Sequence, residues 1–191
     1  MKIGDMKRIH TGSQAREADV RTSQLHKIPG LVLMERAALS VSDYIEDKYA
    51  KRTRILCLAG TGNNGGDAMA LCRILFVRGF DVSYCLLGPE SRLSESAKIQ
   101  YQSLLSYGLS SLAVEETDFK SFDLIVDGIF GIGLSRDIQN PLARLIGKVN
   151  ASGRPVIAMD IPSGLNADTG AVMGACIRAS ETFSFQFLKP G

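Results

Sequence analysis

The chain has 191 residues, 45% of them apolar and 22% charged, with a net charge of +2. That length allows one domain with a sizeable core, and the balance is that of a soluble globular protein. So small a charge excludes an electrostatic footprint for nucleic acid or an anionic membrane, no apolar run nears the roughly 20 residues of a membrane span, and no h-region follows Met1-Lys2-Ile3-Gly4-Asp5 to make a secretory signal.

Residues 1–14 are polar and read as a loose N-terminal segment ahead of a single domain over 15–191. A short helix is expected over 15–25, broken by Ile28-Pro29-Gly30. Met34, Ala37, Ala38, Val41 and Ile45 then recur at helical spacing, which predicts an amphipathic helix over 31–50. Short apolar runs at 54–59, 81–87, 111–114, 123–127 and 155–160 predict strands, and 181–185 resembles one more. Helical patterns lie between them near 67–78, 95–107 and 140–151. Continuous apolar strands alternating with helices indicate an α/β fold, a Rossmann-like three-layer sandwich whose mostly parallel sheet carries helices on both faces. Cys57, Cys72, Cys85 and Cys176 have no metal-ligand spacing. They read as buried, reduced thiols, which fits a cytoplasmic compartment.

In such a sheet ligands bind outside the carboxyl ends of the strands. Three ends stand out. The first is Gly60-Thr61-Gly62-Asn63-Asn64-Gly65-Gly66-Asp67, a strand–glycine turn–helix sequence that suits a phosphate-bearing ligand. Its G-x-G-x-x-G spacing would also fit a dinucleotide redox site. That reading wants an acid at the end of the second strand, where Leu86-Leu87-Gly88-Pro89 stands with Glu90 only past the proline. A hydride-transfer site is therefore disfavoured, and a tight turn capped by Asn and Asp remains an alternative. The second end is Asp127-Gly128-Ile129-Phe130-Gly131-Ile132-Gly133-Leu134-Ser135-Arg136-Asp137, where Arg136 meets either a phosphate or solvent. The third is Asp160-Ile161-Pro162-Ser163-Gly164, where Asp160 is either chemical or a cap for local N–H groups. Asp168 is assigned to its own Asp-Thr-Gly turn.

Asn64, Asp67, Asp127, Asp160 and Ser163 can converge on one rim. Carboxylates gathered in a cleft repel, so at least one pKa should rise unless a cation opposes it. Oxygen ligands without Cys or His suit an alkali or alkaline-earth ion. His10 and His26 lie far from the strand ends in sequence, and Ser163 has no nucleophile elbow or triad histidine. Acid–base chemistry by a carboxylate on a phosphate-bearing small molecule is the best class.

The three loops together resemble the signatures of the YjeF N-terminal domain family, the NAD(P)H-hydrate epimerases that include the apolipoprotein A-I-binding protein. Leu33-Met34-Glu35-Arg36-Ala37 is similar to that family's first long helix, and Phe187-Leu188-Lys189-Pro190-Gly191 to its late Lys-Pro-Gly turn. The resemblance runs from about residue 15 to the end. It implies an isomerase, usually a homodimer, that interconverts the R and S epimers of hydrated NADH and NADPH for metabolite repair. A partner dehydratase accepts only the S epimer. It also implies a potassium ion near Asn64, Asp127 and Ser163. The dinucleotide would lie along Asn63, Asn64, Gly65, Gly66 and Asp67, along Gly131, Ile132, Gly133, Leu134, Ser135, Arg136 and Asp137, and against Asp160. Asp160 takes the acid–base role, with Asp127 mainly holding the cation, and backbone N–H groups of residues 63–66 bind the pyrophosphate.

Three positions depart from the family pattern. Ala68 replaces a usual glycine, Gly128 a usual alanine, and Ala38 a usual glycine. The chain stops at Gly191, where family members continue through another strand, so it reads as the N-terminal part of a fused epimerase–dehydratase or as a truncated single-domain protein. The alternative function within the same fold is a non-catalytic scaffold or binding module, of the mRNA-decapping or lipoprotein-binding kind.

Overall fold

The structure is a computed structural model that describes residues 9–191; of the segment expected to be loose, residues 1–8 lie outside the described residues. The first helix, α1 (Gly12–Leu25), starts three residues before its apolar pattern. Thr11 is the cause: its side chain accepts from Gln14 N–H while the Gln14 side chain accepts from Thr11 N–H, a reciprocal cap. α2 (Gly30–Lys48) follows Pro29 and buries Met34, Ala38, Val41 and Ile45, the stripe expected from their spacing.

Five parallel strands form one sheet: β1 (Arg54–Ala59), β2 (Asp81–Leu86), β3 (Leu124–Gly128), β4 (Val156–Met159) and β5 (Glu181–Phe183), in the order β2-β1-β3-β4-β5. Successive residues of β1 serve opposite cores. Ile55, Cys57 and Ala59 pack with α2, α3 (Asn63–Val77) and α4 (Glu95–Ser106). Leu56 and Leu58 pack with Ile146 and Val149 of α5 (Leu142–Ala151). Both faces of the strand are therefore dry, which is why its sequence is apolar throughout rather than alternating. The fold is the three-layer α/β sandwich that the sequence implied. Cys57, Cys72 and Cys85 are buried free thiols, and Cys176 is a half-buried one. None of the described helices is long and apolar enough to cross a membrane.

Two differences from the sequence reading matter. The run 111–114 is no strand. It touches the outer edge of β2 through one backbone bond, Leu112 N–H to Tyr84 O (2.8 Å), then turns away. Ser111 Oγ accepts from Leu86 N–H, so a hydroxyl takes the place of the next ladder bond. In addition, α3 begins at Asn63, four residues earlier than expected. Asn63, Asn64, Gly65 and Gly66 are its first turn rather than the loop before it. Gly65 is required there, because a methyl group would stand 1.8 Å from the Gly60 carbonyl oxygen.

The chain runs from β1 outward to β2 and then back across to β3. Connections after β1 and β3 thus leave the sheet on opposite sides, and a crevice opens between those two strand ends. The site lies there.

Candidate active site

A cavity of about 840 Å³ occupies the crevice. Its walls are the start of α3, the loop after β3, the end of β4, and three elements the sequence did not place there: α1, the first turns of α2, and the return loop after β5. No side chain caps the N-terminus of α3, so its first N–H groups are free for an anion, and Gly62, Asn63 and Asn64 line the cavity.

Beneath the cavity floor lies a dry polar cluster. Asp127 has 0% exposure. Its Oδ1 accepts from Ser163 Oγ (2.6 Å) and Ile129 N–H (3.1 Å), and its Oδ2 accepts from Ser163 N–H (2.8 Å). Burial pushes the Asp127 carboxyl up to about 6, against the lowering by the Ser163 and Ile129 hydrogen bonds. Phe130 N–H donates to Ser163 Oγ (2.8 Å), and Asn64 Nδ2 donates to Phe130 O (2.9 Å). Asn64 Oδ1 is buried with no hydrogen-bond partner in the protein. An orphaned buried acceptor is costly, so it needs an occupant.

Asp160 follows β4 with a left-handed backbone, φ 66°. Its N–H bonds to Phe183 O (2.8 Å), which continues the β4–β5 pairing. Oδ1 accepts from Phe185 N–H (3.3 Å) and from Lys189 Nζ. Oδ2 faces Gly131, where a methyl group would stand 3.5 Å away and slightly closer, at 3.3 Å, to the Asn64 side chain. Gly131 thus lets Asp160 and Asn64 share one wall. Asp67 and Asp19 complete a group of three cavity-lining carboxylates. The Asp67 carboxyl is held well above the usual range, first by burial and then by the charges of Asp160 and Asp19. The expected pKa rise among crowded carboxylates is therefore present.

The sequence-predicted residues divide as follows. Asn63, Asn64, Asp67, Gly131, Ile132, Gly133, Leu134 and Asp160 line the cavity. Gly65 and Gly66 do not. Gly65 packs on Gly60, and Gly66 lies against Met34. Ser135, Arg136 and Asp137 line a neighbouring cavity of about 730 Å³ that shares Phe130, Gly133 and Leu134 with the first. Asp127 and Ser163 sit below the floor rather than in the cavity. The Asn63 side chain is held by Ser94, whose hydroxyl donates to it (2.8 Å) and caps α4. Glu90 accepts from Tyr101 OH (2.5 Å) and does not line the cavity. Neither histidine lines the cavity; His10 stacks on Phe187 with centroids 4.0 Å apart. Contrary to the sequence reading, Asp168 does not hold its own turn. It accepts from Gly12 N–H (2.7 Å) and so anchors the start of α1 (its turn being bound by Asn166 instead).

Sequence reasoning missed Asp19, Arg16 and Lys189. No periodicity could have placed α1 over the strand ends. The late Lys-Pro-Gly turn was the one visible signal for Lys189.

Comparison with known proteins fits this geometry. The model of the YjeF-related protein N-terminus matches residues 30–191. The chain is 41% identical over 181 residues to a protein of Limosilactobacillus fermentum named NAD(P)H-hydrate epimerase, covering 95% of this chain and 86% of that one. It is 40% identical over 181 residues to a protein of the same name from Weissella koreensis, covering 95% and 81%. The crystal structure of yeast ynu0 superposes with a TM-score of 0.85 at 22% identity, covering 96% of this chain and 82% of that one, and so shares the fold.

Proposed function

The chain belongs to the YjeF-related N-terminal family, and on that premise we propose that it is an NAD(P)H-hydrate epimerase, an isomerase that interconverts the R and S forms of hydrated NADH and NADPH in metabolite repair. The observation that carries this reading is Asp160: a carboxyl group at a strand end, one oxygen bound by the protein and the other turned to a cavity sized for a small molecule.

The reaction inverts C6 of the hydrated nicotinamide ring. The C6–O bond breaks with its electron pair on oxygen, the proton of the Asp160 carboxyl completes a water molecule, and the ring nitrogen shares its lone pair with C6. Water then adds to the opposite face, and its surplus proton returns to the carboxylate. Acid–base help of this kind is worth roughly 10²–10⁴ in rate, or about 3–5 kcal/mol. The free N–H groups at the start of α3 suit the pyrophosphate, and Phe130, Gly133 and Leu134 line both cavities, so an extended dinucleotide would run past them from one to the other. Ser135, Arg136 and Asp137 would then meet its far end.

A potassium ion is part of the reading, and the residues fit one. Asn64 Oδ1 lacks a partner, Asp127 is a desolvated carboxylate, and Ser163 Oγ lies beside it. These are hard oxygen donors. When bound, the ion supplies a fixed positive charge that offsets Asp127 and attracts substrate phosphate. Homodimerisation and a functional link to an S-specific dehydratase, fused or separate, follow from the family resemblance. A coupled assay tests the function. An S-specific dehydratase given mixed epimers stalls once the S form is gone, and adding this protein should carry consumption on through the R form. Persistence of the R residue at its uncatalysed rate sinks the proposal.

A further inference from the structure

The Lys189 side chain is 4% exposed, almost completely withdrawn from water. Lysine is rarely buried, and an ammonium out of water is stable only when its donors are matched. Here all three are. Nζ donates to Asp160 Oδ1, to Ser184 Oγ (3.1 Å) and to Phe185 O (3.0 Å). An ammonium with three protein acceptors has no donor left for a substrate, so whatever Lys189 does for chemistry it does through Asp160.

Its partner is bound on one side only. Asp160 Oδ1 takes both the ammonium and Phe185 N–H, while Oδ2 faces Gly131 and the cavity. The Asp160 backbone is left-handed, and so is that of Gln186, φ 59°, in the same return loop. Non-glycine residues in that region mark sites where the surrounding structure over-determines the geometry. We propose that Lys189 is a positioning residue for the epimerase reaction: by clamping Oδ1 it fixes the rotation of the Asp160 carboxyl and presents Oδ2 alone to the hydrated ring. This rests on the epimerase reading above. Because the clamp needs Ser184 and Phe185 in place, the loop after β5 becomes part of the catalytic apparatus rather than a connection. Gln186 extends it by donating to Asp19 on α1, which ties the same loop to the opposite wall.

The test compares wild type with Lys189→Met, a neutral chain of similar length, and Lys189→Ala, measuring kcat and KM separately. Misalignment of a group that acts in the transition state lowers kcat while leaving substrate binding nearly intact. The expected loss for Lys189→Met is about 10²-fold in kcat, with KM changed by less than about threefold. Ethylammonium, which can refill the ammonium site, should restore part of the Lys189→Ala activity, and propanol should not. A Lys189→Met kcat within about twofold of wild type overturns the assignment, as does equal rescue by propanol, which would make the lysine a space filler. If Lys189→Met does not fold, Ser184→Ala removes one anchor and keeps the charge; unchanged kcat there overturns the proposal too. An inactive wild type overturns the epimerase reading and the role of Lys189 with it, whereas an active wild type beside an equally active Lys189→Met overturns the role of Lys189 alone.

Discussion

At the residue scale, two strand-end carboxylates are set apart in function by what surrounds them. Asp127 lies under the floor with both oxygens committed to Ser163 and Ile129. Asp160 keeps one oxygen free at the cavity. The first suits cation holding and the second proton transfer. Asp160→Asn keeps the shape and removes the transferable proton, so kcat should fall by about 10²–10⁴-fold with circular dichroism unchanged. Equal activity would move the role to Asp127. Asn64 Oδ1 gives a separate test of the cation. Replacing lithium chloride with potassium chloride at equal ionic strength should raise the melting temperature by linkage, and Asn64→Leu should abolish the rise. A potassium effect that survives in Asn64→Leu contradicts the site. Asp67 predicts a pH effect. Its folded pKa is raised above the ordinary 3.8 by burial and by Asp160 and Asp19. A raised carboxyl stabilises the fold fully below the ordinary value and loses that contribution as pH rises through the folded one. Asp67→Asn should therefore gain stability over wild type as pH increases toward neutrality, and show little gain near pH 3. A gain independent of pH would contradict this account.

At the element scale, the departures at Ala68 and Gly128 explain each other. A methyl group on Gly128 of β3 would stand 2.4 Å from the Ala68 methyl of α3. The space between strand and helix holds one methyl group, and this chain puts it on the helix. Gly128→Ala alone should overpack the contact and cost about 1–3 kcal/mol. Adding Ala68→Gly should recover part of that loss. The same methyl lies 2.9 Å from the Asn64 carbonyl, and glycine within a helix costs about 1 kcal/mol, so recovery is incomplete. Chemical denaturation of both single variants and the double variant measures the coupling. Strict additivity would show that the two methyl groups do not compete. Ala38, the third departure, is fully buried in α2 within the core that α2 and α3 share.

For the whole molecule, the sheet and its two cores were legible in sequence because every strand buried on both faces leaves a continuous apolar run. The run 111–114 misled for the same reason: it is apolar and short, but only tertiary position decides whether it pairs along β2 or touches it once. The glycine, Asp127 and Asp160 loops were legible as candidate sites because they end parallel strands. What stayed hidden was whatever arrives from far along the chain. Asp19 comes from a helix fixed by Asp168, and Lys189 comes from a loop held by non-repeating contacts. Both act through long-range packing that leaves no period to read. The central claim is that Asp160 in this crevice drives inversion at C6. Its most direct test is the approach of a purified R epimer of hydrated NADPH to the R/S equilibrium, followed by chiral chromatography with wild type and with Asp160→Asn. The account predicts rapid interconversion with wild type and a rate close to the uncatalysed one with the variant. An R epimer that wild type leaves unchanged would contradict it.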